Sequence, residues 1–163
     1  MIILESVIIF LLFVFGISVF LGVPFLPTHK PQVEMMMDLA EVGPGKVVVD
    51  LGSGAGRLLF AAAKRGAKAI GYELNPFLVL WTKLQISRKG LSGQVTVLWR
   101  SLFKADLTIA DVAVAFLFPR YMPRLEKKVF AEQKGGAKFV SYVFPFCQHE
   151  PKVKKSALYL YEI

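Results

Sequence analysis

The chain has 163 residues, which is one domain's length and too few for two ordinary ones. Hydrophobic residues make up 55% and charged ones 20%, which excludes a disordered chain, and 20 Lys+Arg against 12 Asp+Glu leave a net charge of +8. One cysteine, Cys147, excludes an internal disulfide framework and a multi-cysteine zinc site, and His29 and His149 lie far apart, so no metal is expected.

Ser6 to Leu26 carries no charge and is dominated by Ile, Leu, Val and Phe. As a helix these residues span roughly 30 Å, the thickness of a bilayer's hydrocarbon core. A buried core helix would keep a polar face, and this run has none. A cleaved signal peptide would need a basic n-region and small residues at the cut. Only Glu5 precedes the run, and Leu21-Gly22-Val23-Pro24 is a poor cleavage site. The expectation is an uncleaved single-pass anchor over residues 1–27, with its lipid contact in 6–26, and a domain over 28–163. Lys30 and Lys46 follow the run and no base precedes it, so the positive-inside rule puts the domain in the cytoplasm, as at a prokaryotic inner membrane. Pro24 and Pro27 end the helix. Residues 1–27 hold one acid and no base, so the 20 basic and 11 acidic groups beyond them give a net +9. Beside a membrane, that charge suits anionic headgroups better than nucleic acid.

Beyond the anchor the pattern alternates between α and β. Thr28 is placed to cap a helix with Pro31 in its first turn, and Val33, Met36, Met37 and Ala40 recur at helical spacing. Gly43-Pro44-Gly45 stops it. Lys46 to Leu51 reads as a short buried strand, followed by the turn Gly52-Ser53-Gly54-Ala55-Gly56 and a helix over 58–64. A strand over 67–73, a helix opened by Asn75-Pro76 and running to about Arg88, and strands over 94–99 and 111–118 come next. A helix over 123–133 stops at Gly135-Gly136. Strands over 137–143 and 155–163 complete the chain. Strands alternating with helices imply a mostly parallel sheet covered on both faces, with ligands bound beyond the carboxyl ends of the strands.

The glycine-rich turn carries the chemistry. Its glycines fall as G-x-G-x-G; a dinucleotide fingerprint would place its third glycine at Arg57, and the Gly-Lys-Ser/Thr of a phosphate loop is absent. Asp50 ends the first strand, a poor neighbour for pyrophosphate and a good one for a cation. Glu73 ends the second strand, 21 residues after Gly52, where a carboxylate can accept from both hydroxyls of a ribose. A ligand with a ribose and a positive amino-acid end fits the pair, and S-adenosylmethionine is such a ligand.

Val47 to Gly56 resembles the first motif of the class I S-adenosylmethionine-dependent methyltransferases, and Glu73 sits at their ribose-binding acid. The chain further resembles a narrower group, on Pro24-Phe-Leu-Pro-Thr28, Val33-Glu-Met-Met-Met37, Gly71-Tyr-Glu-Leu-Asn75, Phe116 to Glu126 and Phe144-Pro-Phe146. These are the membrane-anchored protein-lysine methyltransferases of the ATP synthase c subunit and the adenine nucleotide translocase, with their short prokaryotic relatives. The resemblance implies a Rossmann-like seven-strand α/β sheet with a reversed last hairpin. Little chain separates Phe146 from Lys155, so a trimmed hairpin is also expected. It implies cofactor contacts from Thr28, Asp50, Gly52, Ser53, Gly54 and Gly56, and from Glu73, Asn75, Ser101 and Leu102. Phe118 and Pro119 would lie beside the substrate, and Tyr121 is a further candidate there. Two positions depart from the pattern: Ala55 replaces an acid between the second and third glycines, and Ser101 stands near the place of an adenine-binding acid.

Methyl transfer asks for position and electrostatics rather than a catalytic triad, and no triad is visible. A lysine nucleophile must be neutral, which a water-poor apolar site favours. Strand four ends in Phe116-Leu-Phe-Pro119 rather than the Asn/Asp-Pro-Pro-Tyr/Phe of base-modifying enzymes, so no nucleic acid substrate is expected. Cys147 and His149 receive no role. The resemblance and the anchor together point to methylation of a lysine on a membrane protein. A methyltransferase of small or lipid amines is one alternative. An inactive tethered module, motivated by Ala55 and Ser101, is the other.

Overall fold

The computed structural model describes residues 28–163 together with Glu5, Ser6, Ile9 and Gly16. The expected anchor over 6–26 therefore lies, apart from isolated positions, outside the described residues. Among the described residues no helix is long and apolar enough to cross a membrane.

The sheet has seven strands: β1 (Val47–Leu51), β2 (Lys68–Glu73), β3 (Val95–Trp99), β4 (Val112–Ala115), β5 (Lys138–Tyr142), β6 (Val153–Lys155) and β7 (Leu158–Glu162). Their order is β3-β2-β1-β4-β5-β7-β6. β1 to β5 are parallel, and β7 runs antiparallel to both β5 and β6. Four helices connect them: α1 (Lys30–Leu39), α2 (Arg57–Lys64), α3 (Pro76–Arg88) and α4 (Met122–Glu132).

The strands read as unbroken apolar runs because both faces of the sheet are covered. Side chains alternate across a strand, so neighbours go to different cores. Val48, Ala69 and Val112 meet Met36, Met37, Leu59, Ala62 and Val79 of α1, α2 and α3. Val49, Ala113 and Phe139 meet Leu125 and Val129 of α4, with Leu107, Phe146 and Tyr161. β1 lies between β2 and β4, so the chain winds away from it in both directions and leaves a crevice at the carboxyl ends.

Three details differ from the sequence expectation. The first helix is not capped by Thr28: His29 occupies the N-cap position without a side-chain bond, and Thr28 is buried with its carbonyl accepting from the Arg57 guanidinium at 2.9 Å. β4 ends at Ala115, so Phe116, Leu117 and Phe118 leave the sheet and enter the crevice wall before the 3₁₀ turn Pro119–Tyr121. The reversed hairpin is complete, because a three-residue β6 suffices to pair with β7.

Candidate active site

The crevice is a cavity of about 340 Å³ at the carboxyl ends of the parallel strands. Backbone bonds build its near wall. Gly52 and Ser53 N–H both donate to the Tyr72 carbonyl, at 2.9 and 3.0 Å, which folds the glycine turn over β2. Gly71 makes that approach possible: a Cβ there would lie 2.6 Å from Ser53 Oγ and 2.7 Å from Leu59 Cδ1. Gly56 begins α2 at φ +80°, and a Cβ on it would meet Thr82 Cγ2 at 2.8 Å. The Thr82 hydroxyl donates to the Gly54 carbonyl at 3.2 Å and holds the turn from α3.

Glu73 is clamped by two amides. Its Oε2 accepts from Gly54 N–H and its Oε1 from Asn75 N–H, each at 2.8 Å. The Asn75 side chain accepts from Phe77 N–H at 3.0 Å and caps α3. The carboxylate is thereby fixed at the β2 tip, facing the cavity.

Asp50 sits one strand over, 1% exposed, and its Oδ2 has no hydrogen-bond partner among the described residues. Burial, and secondarily the Glu73 charge, push its pKa up to about 8. The Ser53 hydroxyl is likewise buried without a partner. A lone buried carboxylate costs free energy until a cation or donor meets it.

The far wall is apolar: Phe116, Leu117, Phe118, Val143 and Phe144. Val143 adopts φ +73°, which is strained for a β-branched residue, and its N–H donates to the Ala157 carbonyl at 2.7 Å. Behind it, Glu126 of α4 is 2% exposed and accepts from Cys147, Gln148 and His149 N–H at 3.0, 2.9 and 2.9 Å. His149 Nδ1 lies 2.8 Å from the same carboxylate. Burial raises the Glu126 pKa, but these bonds, the His149 side chain first, outweigh it and leave the carboxyl below its ordinary range.

Of the residues expected to hold a cofactor, Thr28, Asp50, Gly52, Ser53, Gly54, Glu73, Asn75 and Leu102 line this one cavity, as does Phe118 on the substrate side. Three expected residues do not. Gly56 lies behind the turn against Thr82 and Phe60. Ser101 turns its hydroxyl to accept from Phe103 N–H at 3.4 Å, capping the 3₁₀ turn Leu102–Lys104. Pro119 opens the next turn and leaves the wall. Sequence reasoning missed Arg57, Tyr72, Leu78, Arg100 and Phe144. Arg57 carried a signal: a cation in the first turn of a helix opposes the macrodipole and needs another reason to be there. Here that reason is its bond to Thr28.

Residues 50–153 match the ANTKMT methyltransferase domain. The chain belongs to this family. The ANTKMT-domain relatives include the ATP synthase c-subunit lysine N-methyltransferase of Rattus norvegicus, 38% identical over 128 residues. That match covers 78% of this chain but only 59% of the rat protein, so the chain spans little more than half of that relative. A protein-lysine N-methyltransferase of Saccharolobus islandicus is 32% identical over 132 residues, covering 80% of this chain and 82% of its own length. Among solved structures, an RNA methyltransferase from Salinibacter ruber in complex with S-adenosyl-L-homocysteine superimposes with a TM-score of 0.80 at 32% identity. The superposition covers 85% of this chain and 94% of that one. The ANTKMT-domain chain thus has the S-adenosylmethionine-dependent methyltransferase fold.

The residues fit that cofactor. The orphaned Asp50 Oδ2 offers a cationic group its missing partner, and the clamped Glu73 carboxylate presents acceptors from the tip of the adjacent strand. Among the described residues no three of His, Cys, Asp and Glu converge as a metal site.

Proposed function

We propose that this chain is an S-adenosylmethionine-dependent protein-lysine N-methyltransferase, tethered to a membrane by residues 6–26 with its domain on the cytoplasmic side. The substrate is a lysine of a membrane-associated protein. The observation that carries the cofactor is the pair Asp50 and Glu73 on one cavity, one acid unpartnered and the other fixed by two amides. The substrate class is supported by the names of relatives that share the domain.

When bound, S-adenosylmethionine supplies a methyl group on a sulfonium and departs as a thioether. Glu73 holds ribose hydroxyls, and Asp50 meets the positive amino-acid end. Gly52 and Gly54, without side chains, let the backbone come close. The apolar wall of Phe116, Phe118 and Phe144 excludes water, which lowers the pKa of an incoming ammonium and favours the neutral amine. The amine's proton is lost to solvent before the nitrogen attacks the methyl carbon.

The Salinibacter ruber neighbour carries the name of an RNA methyltransferase, which gives a second reading its one observation. Incubating the full chain with methyl-labelled cofactor and a membrane extract separates the readings. Label in protease-sensitive material, located on lysine by mass spectrometry, supports the proposal. Label in RNase-sensitive material replaces it with the RNA reading. Label in the organic phase points to a lipid amine. Cofactor binding with no transfer to any fraction points to a tethered binding module.

A further inference from the structure

Helix α3 breaks the rule that a surface helix turns a polar side outward. Val79, Thr82 and Ile86 face the sheet, yet the opposite side carries Leu80, Trp81 and Leu84, exposed by 68%, 50% and 43%. The other helices expose charges instead: Glu34 and Asp38 on α1, Lys64 on α2, Arg124 and Lys127 on α4. Next to α3, Trp99 at the end of β3 is 67% exposed, and its indole N–H donates to the Leu74 carbonyl at 2.9 Å. Leu74, itself exposed, joins β2 to α3. Both tryptophans of the chain therefore lie on one face.

Residues 74–105 contain Lys83, Arg88, Lys89, Arg100 and Lys104 and no acid. All five bases are exposed. Tryptophan with Lys and Arg around an apolar patch is the composition of a surface seated at the headgroup level of an anionic bilayer. The chain's own connection agrees. The uncharged run 6–26 joins the domain at Thr28, and Thr28, Leu74 and Arg100 line the same cavity. Whatever holds that run holds this side of the domain close to it.

We infer that the face formed by Leu74, Leu80, Trp81, Leu84 and Trp99 docks onto the surface of an anionic lipid bilayer, a second membrane contact besides the tether. It rests in part on the reading of 6–26 as a tether. Docking this face lays the cavity mouth beside the membrane plane, where a lysine of a membrane protein emerges.

The two tryptophans make the full chain its own probe. It is reconstituted in vesicles of phosphatidylcholine with phosphatidylglycerol, and in phosphatidylcholine alone. Flotation and carbonate extraction report the tether, and tryptophan fluorescence reports the face. On anionic vesicles the expected result is blue-shifted emission, severalfold weaker quenching by aqueous acrylamide and strong quenching by lipids brominated near the headgroup. Trp81→Phe and Trp99→Phe assign the signal to each ring. Lys83→Glu with Arg88→Glu, both exposed and away from the cavity wall, should restore acrylamide access while the chain still floats. A floating chain whose tryptophans stay open to acrylamide and untouched by brominated lipid overturns the docking and leaves the tether standing. Lipid-quenched tryptophans on a chain released by carbonate support the docking and remove the tether. A chain that does not float overturns both. Protection that appears only with added membrane protein, or that rises with chain density without lipid quenching, overturns the bilayer in favour of a protein partner or a second copy.

Discussion

Asp50 and Glu126 are buried to the same degree and held in opposite ways. Glu126 accepts from three backbone amides and lies against His149, so its charge is satisfied within the fold. Asp50 faces a cavity with one oxygen unpartnered, and its neighbouring acid only raises its pKa further. Burial alone separates nothing here; the count of donors does. A satisfied buried carboxylate organises the chain around it, and an unsatisfied one awaits a ligand. Glu73 combines the two, since two amides fix it and the cavity still sees it.

Breaking the satisfied side should cost the most. Glu126→Ala strands three amides and frees the segment that carries Phe144 and Phe146, so unfolding free energy should fall by about 3 kcal/mol. Glu126→Gln keeps one acceptor oxygen and should lose about half as much. Chemical denaturation of both variants checks the order. Equal stability of the alanine variant and the parent would show that these amides find other partners.

Glu73→Ala comes next. It removes the ribose acceptor and unclamps Gly54 and Asn75, so affinity for S-adenosylmethionine should fall by about 3 kcal/mol, roughly a hundredfold. Calorimetric titration measures it, with NAD and ATP as controls. An unchanged dissociation constant would take Glu73 out of the site.

The pH behaviour sharpens the contrast, because the signs oppose. The Glu126 pKa is lowered on folding, so its stabilisation is present above the unfolded value of about 4.5 and is lost as acid protonates the folded carboxyl. The Asp50 pKa is raised from 3.8 to about 8, so its contribution is most favourable below 3.8 and is lost as pH climbs towards 8. Asp50→Asn should therefore leave the ligand-free protein unchanged near pH 4 and stabilise it increasingly up to pH 8. Cofactor affinity should fall by about tenfold at pH 8, with its rise with pH abolished. Thermal melts and titrations across that range test both. A variant that loses stability at pH 8 would mean that Asp50 has a partner in the ligand-free fold.

The sequence showed the near wall and hid the far one, for a physical reason. Asp50, the glycines and Glu73 act within a single strand-turn-helix-strand unit, where spacing along the chain translates directly into space. Phe144 reaches the cavity only because Glu126 pins the segment after β5 from 21 to 23 residues away. Thr28 looks like a helix cap when only its neighbours are seen, and Arg57, 29 residues on, claims its carbonyl. The closing hairpin seemed too short for the chain available, but β7 needs only three residues of β6 on its outer edge.

Ser101 gives the smallest predicted effect and tests the same distinction at one hydroxyl. Its residue type and its place after β3 suit a cofactor contact, yet the hydroxyl is spent on the Phe103 amide and the residue is absent from the cavity wall. Ser101→Ala should then cost about 0.5 kcal/mol of stability through the lost cap and leave cofactor affinity unchanged. Reduced affinity at constant stability would show that the hydroxyl leaves the Phe103 amide when the cofactor enters. The cavity would then be completed by its ligand at β3, whereas Asp50 and Glu73 stand ready at β1 and β2.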